Sequence, residues 1–229
     1  MKKFLYRSSV LAFTIALLLF SIFLMANNRN FYAKQYEENN TEKHTGMSMD
    51  SLLLSTDTLL DYLNDKSDSV YVTSEKFGVE KEVFDERETL HMVDVKNLYQ
   101  MFFKIMLFLA LSSFATLIYL FYKNGKKEFI REINLAFKFT IFVAVIIVAA
   151  STFAFVYDFN GFWILFHEIL FTNDLFYLDP KISTMINMFP LEFFLSMCVK
   201  IVEIFSFLFM AFFLVSKILS DNYAKHWYK

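Results

Sequence analysis

The sequence predicts an all-α membrane protein: four transmembrane helices with a small extracytoplasmic cap of mixed α+β structure. Three observations lead there. Of 229 residues, 56% are hydrophobic and 20% aromatic, with 31 Phe against 4 Gly and 2 Pro, a balance that suits membrane helices better than a soluble domain. Four apolar stretches, at 10–26, 99–122, 139–157 and 194–216, are each long enough to cross a hydrocarbon layer of roughly 30 Å. Basic residues also gather in alternate connections, which gives the spans a direction.

Residues 1–26 form the N-terminal tail and first span. Lys2, Lys3 and Arg7 precede the apolar run as in a secretory signal, but Leu24-Met25-Ala26 lacks a small residue at the first cleavage position, so the segment is expected to stay as an anchor. Lys123, Lys126, Lys127 and Arg131 occupy the 123–138 loop between spans two (99–122) and three (139–157). Lys217, Lys225 and Lys229 lie in the 217–229 tail after span four (194–216). These basic segments are predicted cytoplasmic, with both termini inside, and the 27–98 and 158–193 segments are predicted outside. The 158–193 loop carries Lys181 as its only Lys or Arg.

Within 27–98, apolar residues at Met49, Leu52, Leu53, Leu59, Leu60 and Leu63 keep helical spacing, with Asp50, Asp57 and Asp61 opposite. This amphipathic helix either packs on the cap or lies on lipid, and its polar face lacks the Lys and Arg of membrane-surface helices. Asn64-Asp65-Lys66 signals a turn, residues 70–73 a strand, and Lys76-Phe77-Gly78 a turn into a second strand near Val83-Phe84. In the second outer segment, residues 162–171 read as a short helix with Trp163 at the interface. Asp179-Pro180 and Pro190 read as helix starts. With Cys198 alone in an apolar run, no disulfide can form within the chain, and the cap must hold by packing.

A net charge of −2 and the absence of a basic stripe with interleaved aromatics argue against nucleic acid as a partner. Among candidates for chemistry, two histidines stand out. His91 follows Asp85-Glu86-Arg87-Glu88 and precedes span two by about two helical turns; His167 sits in the predicted outer helix at a similar depth. Imidazole moves protons near neutral pH, so a shared outer face suggests paired acid and base chemistry at the interface between cap and membrane. The alternative for each is a structural side chain hydrogen-bonded at the interface. Asp94, three residues after His91, could orient its ring or cap the helix; Glu168 points away from its neighbour His167 and is a weaker partner. His44 and His226 read as solvated, and Lys200 and Glu203 as an ion pair within span four. His167-Glu168 opens like a zinc-protease helix, but Phe171 stands where the second ligand belongs, so no metal site is assigned. Nucleophile motifs are absent as well.

The stretch Phe84-Asp85-Glu86-Arg87-Glu88-Thr89-Leu90-His91-Met92-Val93-Asp94-Val95-Lys96, and Phe166-His167-Glu168 followed by Asn173, Leu178-Asp179-Pro180 and Phe189-Pro190, resemble the lipoprotein intramolecular transacylase family of low-GC Gram-positive bacteria. The resemblance covers nearly the whole chain and implies a cytoplasmic-membrane enzyme with His91 and His167 catalytic. Its implied substrate is a lipoprotein whose N-terminal cysteine carries a diacylglyceryl thioether, held among membrane lipids. The implied reaction moves the sn-2 acyl chain to the cysteine α-amine through a cyclic tetrahedral intermediate, leaving an N-acyl, S-monoacylglyceryl lyso-form. It needs no cofactor. Arg87, Tyr99 and Asn173 are candidates for stabilising the oxyanion, and Trp163 for positioning substrate. Two other functions compete: a non-enzymatic scaffold that binds lipoproteins through the cap, and a metal-dependent lipid hydrolase.

Overall fold

The computed structural model describes residues 2–225, so the tail positions His226 and Lys229 lie outside the described residues. Contacts within the chain divide it into two units. One is built from Met1–Phe23, Phe103–Tyr157 and Lys200–Lys229, and the other from Leu24–Phe102 and Asp158–Val199.

The first unit is made of three long helices: α1 (Lys2–Ala26), most of α5 (Glu86–Tyr157), and much of α8 (Leu191–Lys225). Three stretches among the described residues are long and apolar enough to cross a membrane: Lys2–Ala26, Glu86–Val145 and Leu191–Asn222. A 60-residue straight helix would run about 90 Å, three times the hydrocarbon thickness. The chain avoids this at Gly125, whose φ of 76° and ψ of 162° lie where only glycine is comfortable. The two arms of α5 then fold onto α1. Leu120 from the first arm and Ala136 and Phe137 from the second join Tyr6, Val10, Leu17 and Phe209 in one core.

Polar contacts fix the register of these helices. Ser113 donates to the Ser9 carbonyl at 2.7 Å and Asn134 to the Ser216 hydroxyl at 3.3 Å, as small polar residues do between membrane helices. Large apolar side chains meanwhile point outward, including Phe108, Leu111 and Phe207. A water-soluble fold would bury such residues; a lipid-facing one need not. Lys200 and Glu203 pair at 2.7 Å, as their spacing predicts.

The second unit begins with α2 (Arg29–Glu38) and α3 (Thr41–Thr45), neither signalled by hydrophobic period, followed by α4 (Met49–Leu63), the predicted amphipathic helix. Its apolar face is covered by protein: Leu52, Leu53, Leu59 and Tyr62 are buried, and the Tyr36 hydroxyl of α2 meets Thr56 at 2.6 Å. An antiparallel hairpin follows, β1 (Thr73–Lys76) and β2 (Val79–Glu82), joined by Phe77 and Gly78 at positive φ.

The strands therefore sit about three residues from both predicted positions, each shifted towards the turn. Ser67 and Ser69 hydroxyls take the N–H groups of Ser69 and Tyr71, which diverts 67–71 into turns rather than a ladder. The two-residue loop sets Lys76 opposite Val79, so Val83 and Phe84 fall past the sheet and into the core. The turn is seated by the Phe77 N–H on the Gly46 carbonyl, with the Phe77 ring so close over Gly46 that a Cβ there would lie 2.6 Å from it.

After the first turns of α5 the unit resumes with α6 (Phe159–Leu170), capped by Asp158, and α7 (Thr184–Met188), capped by Ser183. Asp179-Pro180 does not open a helix as expected. The Asp179 carboxylate takes the Lys181 N–H and its carbonyl the Ser183 N–H, closing a turn, and the helix waits for the better cap at Ser183. Pro190 does stand immediately before α8.

Candidate active site

His91 lies in the second turn of α5, ahead of the apolar stretch that begins at 99. The start of that helix is tightly specified by a capping box. Asp85 accepts the Glu88 N–H at 2.8 Å, and Glu88 accepts the Asp85 N–H at 2.7 Å. The other Glu88 oxygen takes the Ser183 hydroxyl and the Met185 N–H, both at 2.6 Å. Glu88 is thus buried with its carboxylate accepting three donors, and it ties the segment before α7 to the helix that carries His91.

His167 is brought from α6, 76 positions later in the chain, and its ring centre stands 6.2 Å from that of His91, tilted by 35°. The two imidazoles share an aromatic enclosure. Phe171 is edge-on to His91 at 5.3 Å and 5.7 Å from His167; Phe176 stacks on His167 at 5.0 Å; and Trp163 meets it edge-on at 4.8 Å while packing on Phe194 at 4.2 Å.

The electrostatics follow from this enclosure. His91 is only 7% exposed, and its Nδ1 is buried with no hydrogen-bond partner among the described residues. Burial, with the neighbouring His167 and Arg87, pushes its pKa down from 6.5 to about 4, against an opposing pull from Asp94. Burial also lowers His167, opposed by its bond to the main chain. That bond runs from Nδ1 to the Trp163 carbonyl at 2.8 Å. Since a carbonyl only accepts, Nδ1 carries the hydrogen and the neutral ring keeps its lone pair on Nε2.

The remaining predicted residues are close in sequence to the pair, but their polar atoms are engaged elsewhere. Arg87 donates to the carbonyls of Tyr177 and Asp174. Asp94 accepts from Asn173 at 2.8 Å. Glu168 accepts from the Tyr177 hydroxyl at 3.1 Å. The Tyr99 hydroxyl, two turns further along α5, lies in a ring of hydrogen bonds with Asn27 and Asn64. A cavity of about 250 Å³ is lined by Asp94, Asn97, Leu98 and Met101 on α5 and by Leu170 to Asn173; neither histidine lines it, and Phe171 is what it shares with both imidazoles.

Sequence reasoning missed Phe171, Phe176 and the Glu88–Ser183 tie. Phe171 had a signal, lying four residues after His167 on the same helix face. Phe176 had none, because it sits in a turn without period.

Apolar helices that face outward, together with a buried imidazole beside a half-buried one, describe a membrane-integral protein with a site suited to proton transfer. The chain belongs to the lipoprotein intramolecular transacylase family, Lit, whose model matches residues 8–194. No curated protein matches it in sequence. Among solved structures it is similar to the membrane-integral lipoprotein intramolecular transacylase Lit from Bacillus cereus. Identity there is 18%, with 98% of each chain covered and a TM-score of 0.79. Two variants of that protein, with a histidine replaced by arginine or by alanine, match with a TM-score of 0.76 each. Their identities are 18% and 19%, covering 99% and 98% of this chain and 95% and 96% of those. At such identity the likeness shows a shared fold.

Proposed function

We propose that this protein moves the sn-2 acyl chain of a diacylglyceryl lipoprotein to the α-amine of its N-terminal cysteine, using His91 and His167 as the proton-transfer pair. The observation that carries this reading is the approach of the two rings to 6.2 Å within an aromatic enclosure, from segments far apart in sequence. Family membership supplies the substrate class.

The substrate amine has an ordinary pKa near ~8, so at neutral pH about a tenth of it is unprotonated and able to attack. It adds to the sn-2 ester carbonyl, forming the C–N bond and a cyclic tetrahedral intermediate. His167 Nε2 takes the proton the nitrogen sheds. Collapse breaks the bond to the glyceryl C2 oxygen, which receives a proton from the imidazole pair and becomes a hydroxyl. One N–H is exchanged for one O–H, so the step is balanced without a co-reactant. His91, neutral at this pH, has a ring N–H to offer the developing oxyanion, and its unpartnered Nδ1 is the kind of buried polar atom that substrate binding would satisfy. Folding the substrate back on itself is entropically awkward in water, and an enclosing site supplies that proximity.

The same proposal includes the placement in the membrane. The two arms of α5 serve as spans two and three, making four with α1 and α8. Segments 27–98 and 158–193 form the outer cap, 123–138 is an inner loop, and both termini are cytoplasmic. The histidine pair then acts at the outer side of the membrane, where lipoproteins carry their lipid.

The test incubates purified protein with a synthetic diacylglyceryl lipopeptide and locates the acyl chain by fragmentation mass spectrometry, since the isomerisation leaves the intact mass unchanged. Acyl on the cysteine nitrogen is expected, with His91→Ala and His167→Ala each at least about 10²-fold slower. Unchanged substrate would favour a lipoprotein-binding scaffold, and free fatty acid a hydrolase.

A further inference from the structure

Arg87, His91 and Asp94 follow at i, i+4 and i+7 on α5, so the three side chains leave one face of the helix with the imidazole in the middle. What the two flanking residues bind is the chain from 173 to 177. Arg87 donates from Nε to the Tyr177 carbonyl at 3.2 Å and from Nη2 to the Asp174 carbonyl. Those are the last and first residues of a turn closed by the Tyr177 N–H on Asp174 at 3.1 Å. Asp94 accepts from Asn173 Nδ2, and the Asn173 oxygen takes the Leu175 N–H at 3.0 Å. The turn is therefore pinned to α5 at both ends, and the side chain it presents inward is Phe176, flat against His167 within 29° of parallel.

We propose that Arg87 and Asp94 are positioning residues that act through this turn: they hold Phe176 on the face of His167 and so fix that imidazole relative to His91. The inference rests on the two-histidine reading above. The Trp163 carbonyl restrains one edge of the His167 ring, and a flat neighbour is what restrains its plane. If the turn lifts, the ring gains freedom and the base lone pair loses its aim, which lowers turnover without loosening the binding of a substrate held by its lipid. Arg87 suits the task because its rigid planar fork presents two separate nitrogens, Nε and Nη2, to the two carbonyls in fixed geometry, whereas a lysine must make all its bonds from one nitrogen on a flexible stem. Asp94 needs only an oxygen that accepts from Asn173, which an asparagine also offers.

The test measures kcat and KM of the full-length protein in detergent micelles with a synthetic diacylglyceryl lipopeptide. Arg87→Met and Phe176→Ala are each expected to lower kcat by on the order of 10- to 100-fold with KM within about 2-fold. The double variant should be no slower than the worse single one, because both remove the same restraint. Asp94→Asn should recover most of what Asp94→Ala loses, whereas Arg87→Lys should not rescue Arg87→Met. If Arg87→Met does not fold, Phe176→Leu, which keeps apolar bulk without a flat face, carries the same test. Multiplicative losses across the Arg87 and Phe176 pair, or a defect confined to KM, overturn the proposal. So does an unchanged kcat in Arg87→Met beside an inactive His91→Ala. Full activity in His91→Ala would instead sink the two-histidine reading on which it stands.

Discussion

His91 combines deep burial with a neighbour of its own kind, and its acidity has a thermodynamic signature. The folded pKa of about 4 lies below the ordinary 6.5, so on acidification the unfolded chain binds this proton first. The stability this represents is complete above about pH 6.5 and is lost as pH falls towards 4; at about 1.4 kcal/mol per unit it amounts to on the order of 3 kcal/mol. Thermal melting in detergent across that window should show a decline in the native protein that is smaller in His91→Leu; equal declines would mean the imidazole is not the group responsible. The candidacy of both histidines was legible in the sequence, because ionisable groups in aromatic surroundings are costly to keep. Their spacing and the tautomer of His167 were not, since both depend on where a distant helix lands.

At the scale of elements, period and capping chemistry were the readable signals. The limits of α4 match the apolar spacing, Asp158 and Ser183 cap where short polar side chains should, and Pro190 precedes α8. The misplaced strands and the turn at Asp179 share one cause, local side-chain bonds to the main chain that outcompete propensity. Gly125 was also unread, because glycine in a basic loop is unremarked by any periodic rule. Its conformation is nonetheless the one that lets α5 double back. A Cβ there would meet nothing within 4 Å, so Gly125→Ala isolates the backbone strain. We expect a loss of about 1–3 kcal/mol, read as a lower melting temperature in detergent; an unshifted melt would show that the break does not need glycine.

For the molecule as a whole, composition alone announced the class, and the outward-facing phenylalanines bear it out. The proposed direction in the membrane rests on the basic residues of 1–9, 123–138 and 217–229, whose translocation is disfavoured. A fluorescent protein fused to the C-terminus should therefore mature and glow, and alkaline phosphatase at the same point should be inactive, as expected of a cytoplasmic end. The reverse pair of results would place the histidines on the inner leaflet and exclude the proposed substrate side. Detail within the second unit was the least readable, because α2 is stabilised by the aromatic packing of Phe31, Tyr32 and Tyr36 on Phe189 and Phe193, partners more than 150 positions away.

The acceptor that orients His167 is a main-chain oxygen, and this shapes what genetics can find. A carboxylate in that role would appear in any collection of inactive alleles as its own missense change. The Trp163 carbonyl is encoded by no particular codon: every residue supplies one, and only an allele that breaks α6 itself, such as proline within its third turn, removes the bond. On the proposed two-histidine reading, a screen for inactive alleles would therefore recover His167 and leave its partner unseen.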